Sequence, residues 1–124
     1  MTILITGATG FIGSRVARLL AQRGQTVRCL VRPPSRTDRL DGLSVEIVHG
    51  DLADHQSLVR AARGCNQCVH LAAASGWAAQ AGADLDDIIV GGTDRLVRAL
   101  MFTGTRRLLH VSSAAAIGAT RDGT

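Results

Sequence analysis

The sequence predicts an α/β fold, a doubly wound parallel sheet with helices on both faces. Short apolar runs of strand length alternate with segments whose apolar residues recur at helical spacing. A glycine-rich turn follows the first strand, and single glycines stand where the helices should end. Because parallel strands are joined by right-handed crossovers, this alternation implies helices on both faces of one sheet. We interpret the 124 residues as one domain, residues 1–124.

The chain opens with a strand, a helix and a second strand. Thr2–Thr6 (TILIT) is almost wholly apolar, which is typical of a strand buried on both faces of a parallel sheet. Phe11–Arg23 has helical periodicity, and Gly24 stands at the place of a helix C-cap. Thr26–Val31 is the second predicted strand.

The middle of the chain adds two strands and a helix. Ser44–Val48 follows a proline-containing loop and is the third predicted strand. Asp54 is a suitable N-cap for a helix that ends at Gly64. Cys68–Ala72 is the fourth predicted strand.

A long helix and a fifth strand complete the pattern. The helix is predicted over Asp84–Phe102 and ends at Gly104, and the strand over Leu108–Val111. As the last strand, Leu108–Val111 would form an apolar sheet edge, which we expect a partner chain or further sequence to cover. Val90 and Met101 lie beyond the apolar stripe that one buried helix face requires.

Composition excludes several classes of protein. The net charge is +4, but the arginines are dispersed and aromatic residues make up 2%, so we expect no nucleic-acid partner. No apolar run is long enough for a membrane span and no leader peptide is evident, so a cytoplasmic protein without a membrane partner is expected. The three cysteines, Cys29, Cys65 and Cys68, are odd in number and irregularly spaced, which argues against a disulfide framework.

Two residue types with important side-chain chemistry are missing. All 14 basic residues are arginine, so lysine is absent, and so is tyrosine. Any mechanism that needs a tyrosine or lysine side chain is therefore excluded within these 124 residues.

The strongest chemical motif is the glycine-rich turn between the first strand and the first helix. Gly7 permits a tight turn, Gly10 lets the backbone approach a pyrophosphate, and Gly13 lets the helix pack closely on the strand. The free N–H groups of the helix N-terminus would then meet the phosphates. The alternative is a glycine-rich turn without a ligand.

At these residues the sequence resembles the extended short-chain dehydrogenase/reductase family, in its epimerase/dehydratase and dihydroflavonol-reductase-like group. The opening ILITGATGFIGSRVARLLAQRG carries the family's GxxGxxG spacing, and the resemblance runs to about Gly118. The other matching motifs are HGDL at 49–52, HLAA at 70–73, GT at 92–93 and VSS at 111–113. The resemblance implies a Rossmann sheet of five strands in the order 3-2-1-4-5, truncated before the sixth strand and without the C-terminal substrate region.

The resemblance also implies a role for each matching residue. Ser113 would be the catalytic serine that hydrogen-bonds the reacting oxygen of the substrate, with Ser112 as the second candidate; the alternative is a strand-end pair that satisfies backbone groups. The implied cofactor-binding residues are Gly7, Gly10, Gly13 and the backbone of Phe11 and Ile12 at the pyrophosphate, Asp51 and Leu52 beside the adenine, and Ala72 and Ala73 on the ribose side.

The end of the second strand bears on the choice of cofactor. A site for NAD usually has a carboxylate there, whereas a 2′-phosphate needs positive charge. This chain has Arg32, with Arg36 nearby and no acid before Asp38. A guanidinium suits a phosphate through its fork geometry and permanent charge, so NADP(H) is favoured over NAD(H). The alternative is that Arg32 is only solvated.

Two departures from the family pattern concern catalysis. The family's Tyr-x-x-x-Lys pair, its acid/base and the lysine that assists it, is missing, and Ile89 stands where many relatives have asparagine. We interpret the chain as the cofactor-binding portion of an epimerase or dehydratase acting on a nucleotide sugar, or of a ketone/aldehyde reductase, inactive by itself. The alternative is a complete, non-catalytic dinucleotide-binding sensor or interaction module.

The cysteine pair, the two strand histidines, Trp77 and the long helix are weaker indicators of function. Cys65 and Cys68 form a CxxC pair at a helix end, which we do not interpret as a redox or metal site. His70 and His110 are interpreted as neutral, buried histidines with backbone partners rather than as a metal pair. Trp77 could belong to a lid or to ordinary packing. Members of the family pair through the long helix, so a homodimer through helix 84–102 is one further expectation.

Overall fold

The computed structural model describes residues 1–72, 84 and 86–113. The five strands are parallel and lie in the order β3-β2-β1-β4-β5, which confirms the predicted fold class and strand order. The elements are β1 (Thr2–Thr6), α1 (Phe11–Gln22), β2 (Thr26–Val31), a 3-10 turn (Asp38–Leu40), β3 (Glu46–His49), α2 (His55–Ala62), β4 (Gln67–His70), a π-helical segment (Asp86–Gly91), α3 (Gly92–Thr103) and β5 (Arg107–His110).

The sheet separates two apolar cores, and β1 contributes to both. Because side chains alternate along a strand, Leu4 packs with α2 and α3 on one face, whereas Ile3 and Ile5 pack with α1 on the other. All three side chains are buried. As the central strand, β1 is flanked by β2 and β4, so its carboxyl end lies in the middle of the sheet edge.

Three predicted strands are displaced by one or two residues. The third is Glu46–His49 rather than Ser44–Val48, because it pairs only with Arg28–Val31 of β2. The fourth and fifth, predicted as Cys68–Ala72 and Leu108–Val111, are β4 (Gln67–His70) and β5 (Arg107–His110), paired residue for residue.

The long helix is not a single regular α-helix. In the described part of the predicted range 84–102, a π-helical segment precedes α3, and the two meet at Gly91 and Gly92. Glycine is a poor helix former, so two adjacent glycines favour an irregularity at this point. Asp87 of the π-helical segment pairs with Arg95 of α3, eight positions further along.

Arg28 of β2 holds the end of α2 against the sheet. Its Nη1 donates to the carbonyl oxygens of Ala61 and Arg63 over 2.7 and 2.6 Å. Its Nε pairs with Glu46 of β3 over 2.9 Å. The last carbonyl groups of a helix lack intrahelical partners and carry partial negative charge, so a guanidinium here stabilises the helix end.

We expect Arg28→Ala to lower the free energy of unfolding by about 1–2 kcal/mol, because it removes charge-assisted bonds to those carbonyl groups. Urea unfolding measures this change. Arg60→Ala, at an exposed position of α2, is the matched control and should cost less than about 0.5 kcal/mol. An equal loss in the two variants would contradict the role of Arg28.

One edge of the sheet and one face of α3 expose apolar side chains. Leu109 of β5 is 61% exposed, and Met101 and Phe102 at the end of α3 are exposed as well. The expected cover of this edge and the expected homodimer through helix 84–102 remain predictions. Among the described residues, no helix has the length and hydropathy needed to cross a bilayer.

Candidate functional site

A cavity of about 330 Å³ lies at the carboxyl ends of the strands, where the connections from β1 and β4 leave in opposite directions. This is the place where open α/β sheets bind ligands. The cavity is lined by Thr6, Gly7, Thr9, Gly10, Leu30, Arg32, Ser35, Gly50, Asp51, Leu52, Ala53, Leu71, Ala72, Asp87, Ile88 and Arg95.

The glycine turn forms the floor of the cavity because side chains are excluded there. Gly7 has a φ of +74°, and a Cβ on it would lie 2.6 Å from the amide nitrogen of Ala72. A Cβ on Gly13 would lie 1.9 Å from the carbonyl oxygen of Gly7. Gly10 differs, since its Cβ would meet only that carbonyl oxygen, at 3.3 Å. Gly7 and Gly13 therefore serve close packing, whereas Gly10 presents its backbone to the cavity and has a single tight approach, to the Gly7 carbonyl oxygen.

The N-terminus of α1 is suited to an anion. Gly10 is the N-cap residue, no side chain of the described residues caps the helix, and its first turn has no acidic residue. The first amide groups of a helix lack intrahelical acceptors and sit at the positive end of the helix dipole. Phe11 and Ile12 expose their side chains here, and Gly13 is buried behind them. Pyrophosphate fits such a position.

A buried hydrogen-bond network joins the ends of β1 and β4. The Thr6 hydroxyl accepts hydrogen bonds from the amide groups of Leu71 and Ala72, each over 3.2 Å. The same hydroxyl lies 2.5 Å from Nδ1 of His70, whose Nε2 lies 3.1 Å from the hydroxyl of Thr93 in α3. This network fixes the segment that lies against Gly7.

The network sets the tautomer of His70. Since the Thr6 oxygen already accepts two N–H groups, its own proton points to Nδ1 of His70, and the ring proton is on Nε2, facing Thr93. Burial, and to a lesser extent the charge of His110, lowers the pKa of His70 to about 4. For His70 the expectation of backbone partners was wrong, because its ring nitrogens face the hydroxyls of Thr6 and Thr93. The rings of His110 and His70 stack with their centroids 5.3 Å apart. His110 is exposed, so the expectation that it is buried was wrong.

The connection after β3 is fixed by Ser57 of α2. The Ser57 hydroxyl accepts a hydrogen bond from the Asp51 amide over 3.0 Å and lies 2.8 Å from the Asp54 carbonyl oxygen. Oδ1 of Asp51 accepts from the Ala53 amide over 2.9 Å. These bonds hold Asp51 and Leu52 at the cavity wall, where the resemblance implies the adenine.

The two arginines singled out for a 2′-phosphate lie in different surroundings. Arg32 lines the cavity together with Ser35, whose amide donates to the Arg32 carbonyl over 2.9 Å. Arg36 does not line it; its guanidinium pairs with Asp38 over 2.7 Å, beside a smaller depression. Of these two arginines, the structure therefore places only Arg32 at the cavity.

The serines implied as catalytic lie apart from this cavity. Ser112 and Ser113 are exposed just beyond the end of β5, and neither belongs to the cavity lining. Ala73 and Trp77 lie outside the described residues. Of the implied ribose-side pair, Ala72 lines the cavity.

Sequence reasoning missed Thr6, Asp87 and Arg95 as residues of the cavity wall. Thr6 had a readable signal, since it is the polar end of an otherwise apolar strand. Arg95 interrupts the apolar side of a helix next to Leu96, but its partner Asp87 lies eight residues away, which regular helical spacing does not predict.

The cysteines lie away from the cavity. Cys65 and Cys68 are buried free thiols, and burial raises the pKa of Cys68 to about 12. Within the described ranges no group of three or more histidine, cysteine, aspartate or glutamate side chains could hold a metal ion.

Comparison with known proteins adds to this geometry. The chain is 39% identical to "sterol demethylase protein B" of Methylococcus capsulatus over 99% of its length, and 37% identical to a putative dihydroflavonol 4-reductase of Synechocystis over 96%. It covers only 38% and 34% of those relatives.

A solved structure is likewise similar over the whole of this chain and over only part of its own length. A short-chain dehydrogenase/reductase superfamily protein from Agrobacterium tumefaciens, solved with bound NAD, superposes with a TM-score of 0.79 at 32% identity. The match covers 100% of this chain and 38% of that one. The sequence profile of the NAD dependent epimerase/dehydratase family matches residues 3–124. With its glycine turn, strand order and cavity, the chain belongs to the NAD-dependent epimerase/dehydratase family.

Proposed function

We propose that this chain binds a nicotinamide dinucleotide and is the cofactor-binding portion of an NAD(P)-dependent enzyme of the extended short-chain dehydrogenase type. One observation carries the proposal: the cavity at the strand ends meets the N-terminus of α1 at Gly10, where no described side chain caps the helix. Anionic phosphates and a flat base match such a cavity. The bound nicotinamide would supply hydride transfer to or from a carbonyl or carbinol carbon.

The residues of the chain have separate tasks in this proposal. Backbone N–H groups of Phe11, Ile12 and Gly13 would hold the pyrophosphate above Gly7 and Gly10. Asp51 and Leu52 would border the adenine, and Ala72 with Ala73 the ribose. Ser113, or Ser112 beside it, would hydrogen-bond the reacting oxygen of the substrate.

The proposed reaction classes follow from the family, and the proposed lack of turnover follows from composition. The substrate would be a nucleotide sugar for an epimerase or dehydratase, or a ketone or aldehyde for a reductase. Without tyrosine or lysine, the 124 residues offer no phenol or amine to move the proton. We therefore propose that they bind dinucleotide without turnover. A non-catalytic sensor is the second candidate, which the same composition favours.

Titration with NADPH and NADH, followed by nicotinamide fluorescence, tests the binding function. We expect saturable binding with one site per chain and no consumption of cofactor when ketones or nucleotide sugars are added to the 124 residues. Turnover by the full-length protein under the same conditions would support the enzyme and exclude the sensor. Failure to bind either cofactor would contradict both.

The preference for NADP(H) is proposed from Arg32, which lines the cavity. We expect Arg32→Ala to weaken NADP⁺ binding about tenfold and NAD⁺ binding less than about twofold, because only NADP⁺ carries the 2′-phosphate. Calorimetric titration measures both affinities, and Arg60→Ala is the control that removes an exposed arginine outside the cavity lining. Equal losses for the two cofactors in Arg32→Ala would exclude this preference.

A further inference from the structure

The Arg95 side chain joins two segments of the cavity wall. Its Nε donates to the carbonyl oxygen of Leu52 over 2.6 Å, and its Nη2 donates to the carbonyl oxygen of Asp87 over 3.1 Å. Both terminal nitrogens also lie 3.3 Å from Oδ1 of Asp87. Arg95, Asp87 and Leu52 all line the cavity. One side chain of α3 therefore ties the segment after β3 to the π-helical segment.

Two adjacent glycines make room for this arrangement. A Cβ on Gly91 would lie 2.9 Å from Oδ1 of Asp87 and 3.3 Å from the terminal nitrogens of Arg95. A Cβ on Gly92 would lie 3.2 Å from the Cβ of Leu52. Side chains at these positions would press on the ion pair and on Leu52. The start of α3 is thus packed directly onto the wall that Leu52 forms.

A second ion pair on α3, between Arg98 and Asp94, differs from the Arg95–Asp87 pair in burial. Arg98 pairs with Asp94 at helical spacing, but its side chain is 71% exposed, against 26% for Arg95. Exposed pairs of this kind contribute little to stability. Arg95 in addition donates to two main-chain oxygens, so it fixes the course of the backbone as well as pairing charge.

We propose that Arg95 and Asp87 are positioning residues for the adenine end of the dinucleotide. The inference rests on the proposed function, in which Leu52 borders the base. Arg95 holds the Leu52 carbonyl, and Asp87 holds the guanidinium of Arg95 in the orientation that reaches it. Together they set the width of the gap that receives the base.

An explanation by charge alone makes a different prediction. Removing the Asp87 carboxylate would leave the positive charge of Arg95 unpaired in the cavity, and this charge would attract the phosphates. Binding of an anionic nucleotide would then become tighter. If Asp87 positions Arg95, its removal weakens binding despite the added positive charge.

Calorimetric titration of the full-length protein with ADP and with NAD⁺ tests the inference. We expect Arg95→Ala to weaken ADP binding about tenfold, Asp87→Ala about threefold, and the control Arg98→Ala less than about twofold. Unchanged or tighter ADP binding by Asp87→Ala would overturn the inference, as would equal affinities in Arg95→Ala and Arg98→Ala.

The design separates this inference from the proposed function. If Arg95→Ala does not fold, the affinity of Asp87→Ala for ADP tests the inference by itself. Because Asp87 is exposed, the melting temperature of the Asp87→Ala variant without ligand should match that of the wild type. Absence of ADP and NAD⁺ binding by the wild-type protein would overturn the proposed function and the inference with it. Wild-type binding with unaffected variants would overturn the inference alone.

Discussion

Gly7→Ala should abolish dinucleotide binding and lower the free energy of unfolding by about 2–4 kcal/mol. A methyl group at this position would lie 2.6 Å from the Ala72 amide and 2.7 Å from the Leu71 carbonyl carbon, both of them backbone atoms that cannot rotate away. The turn would have to move, and with it the amide groups that face the pyrophosphate. Urea unfolding and cofactor titration measure the two effects.

Gly42→Ala is the matched control for this experiment. Gly42 has the same φ of +74°, but nothing lies within 4 Å of the place that its methyl group would take. It therefore reports the cost of the left-handed backbone conformation alone, about 1 kcal/mol. If the free energy of unfolding falls equally in the two variants, the close approach of Gly7 to the segment after β4 does not contribute to the cost of Gly7→Ala.

His70→Ala should cost about 2–4 kcal/mol of unfolding free energy at neutral pH, because it leaves a cavity and removes the partner of two threonine hydroxyls. His70 is 2% exposed, so water cannot readily replace the ring. His70→Asn is the matched variant, since its side-chain oxygen can take the place of Nδ1 and accept from Thr6. We expect it to recover part of the loss. Equal losses in both variants would contradict the role assigned to the Thr6 hydrogen bond.

The same histidine predicts how stability depends on pH. Above pH 6.5 the ring is neutral in the folded and the unfolded chain, so it adds no pH dependence. Between pH 6.5 and about 4 the unfolded chain takes up the proton while the folded chain does not. Stability therefore falls as the pH falls through this window, by at most about 3 kcal/mol.

Unfolding of wild type and His70→Asn at several pH values in that window isolates this contribution. The difference in stability between the two proteins should shrink as the pH is lowered, because the variant has no titrating ring at this position. A difference that is constant across the window would show that His70 keeps its ordinary pKa in the folded protein.

The fold could be predicted from sequence because its signals are local. The apolar run Thr2–Thr6 predicts a strand, and the glycines predict where helices end, each from a few neighbouring residues. The strand bounds were less accurate, because pairing with a neighbour, as between Arg28–Val31 and Glu46–His49, decides where a strand begins and ends.

The candidate site was only partly predictable. The glycine turn could be interpreted because each glycine has a reason that shows in its spacing. The Thr6–His70–Thr93 network and the Arg95–Asp87 pair could not, since they join residues that only the tertiary structure brings together. That Arg32 lines the cavity and Arg36 does not was also not predictable, since Arg36 pairs with Asp38 in the folded chain.

A crystal structure of the protein grown with NADP⁺ tests the central claim most directly. We expect the pyrophosphate within hydrogen-bond distance of the Phe11 and Ile12 amide groups, and the adenine against Leu52 on the side of the cavity that Arg95 closes. The 2′-phosphate should contact Arg32. A dinucleotide bound elsewhere on the protein, with the glycine turn unoccupied, would contradict the assignment of this cavity as the cofactor site.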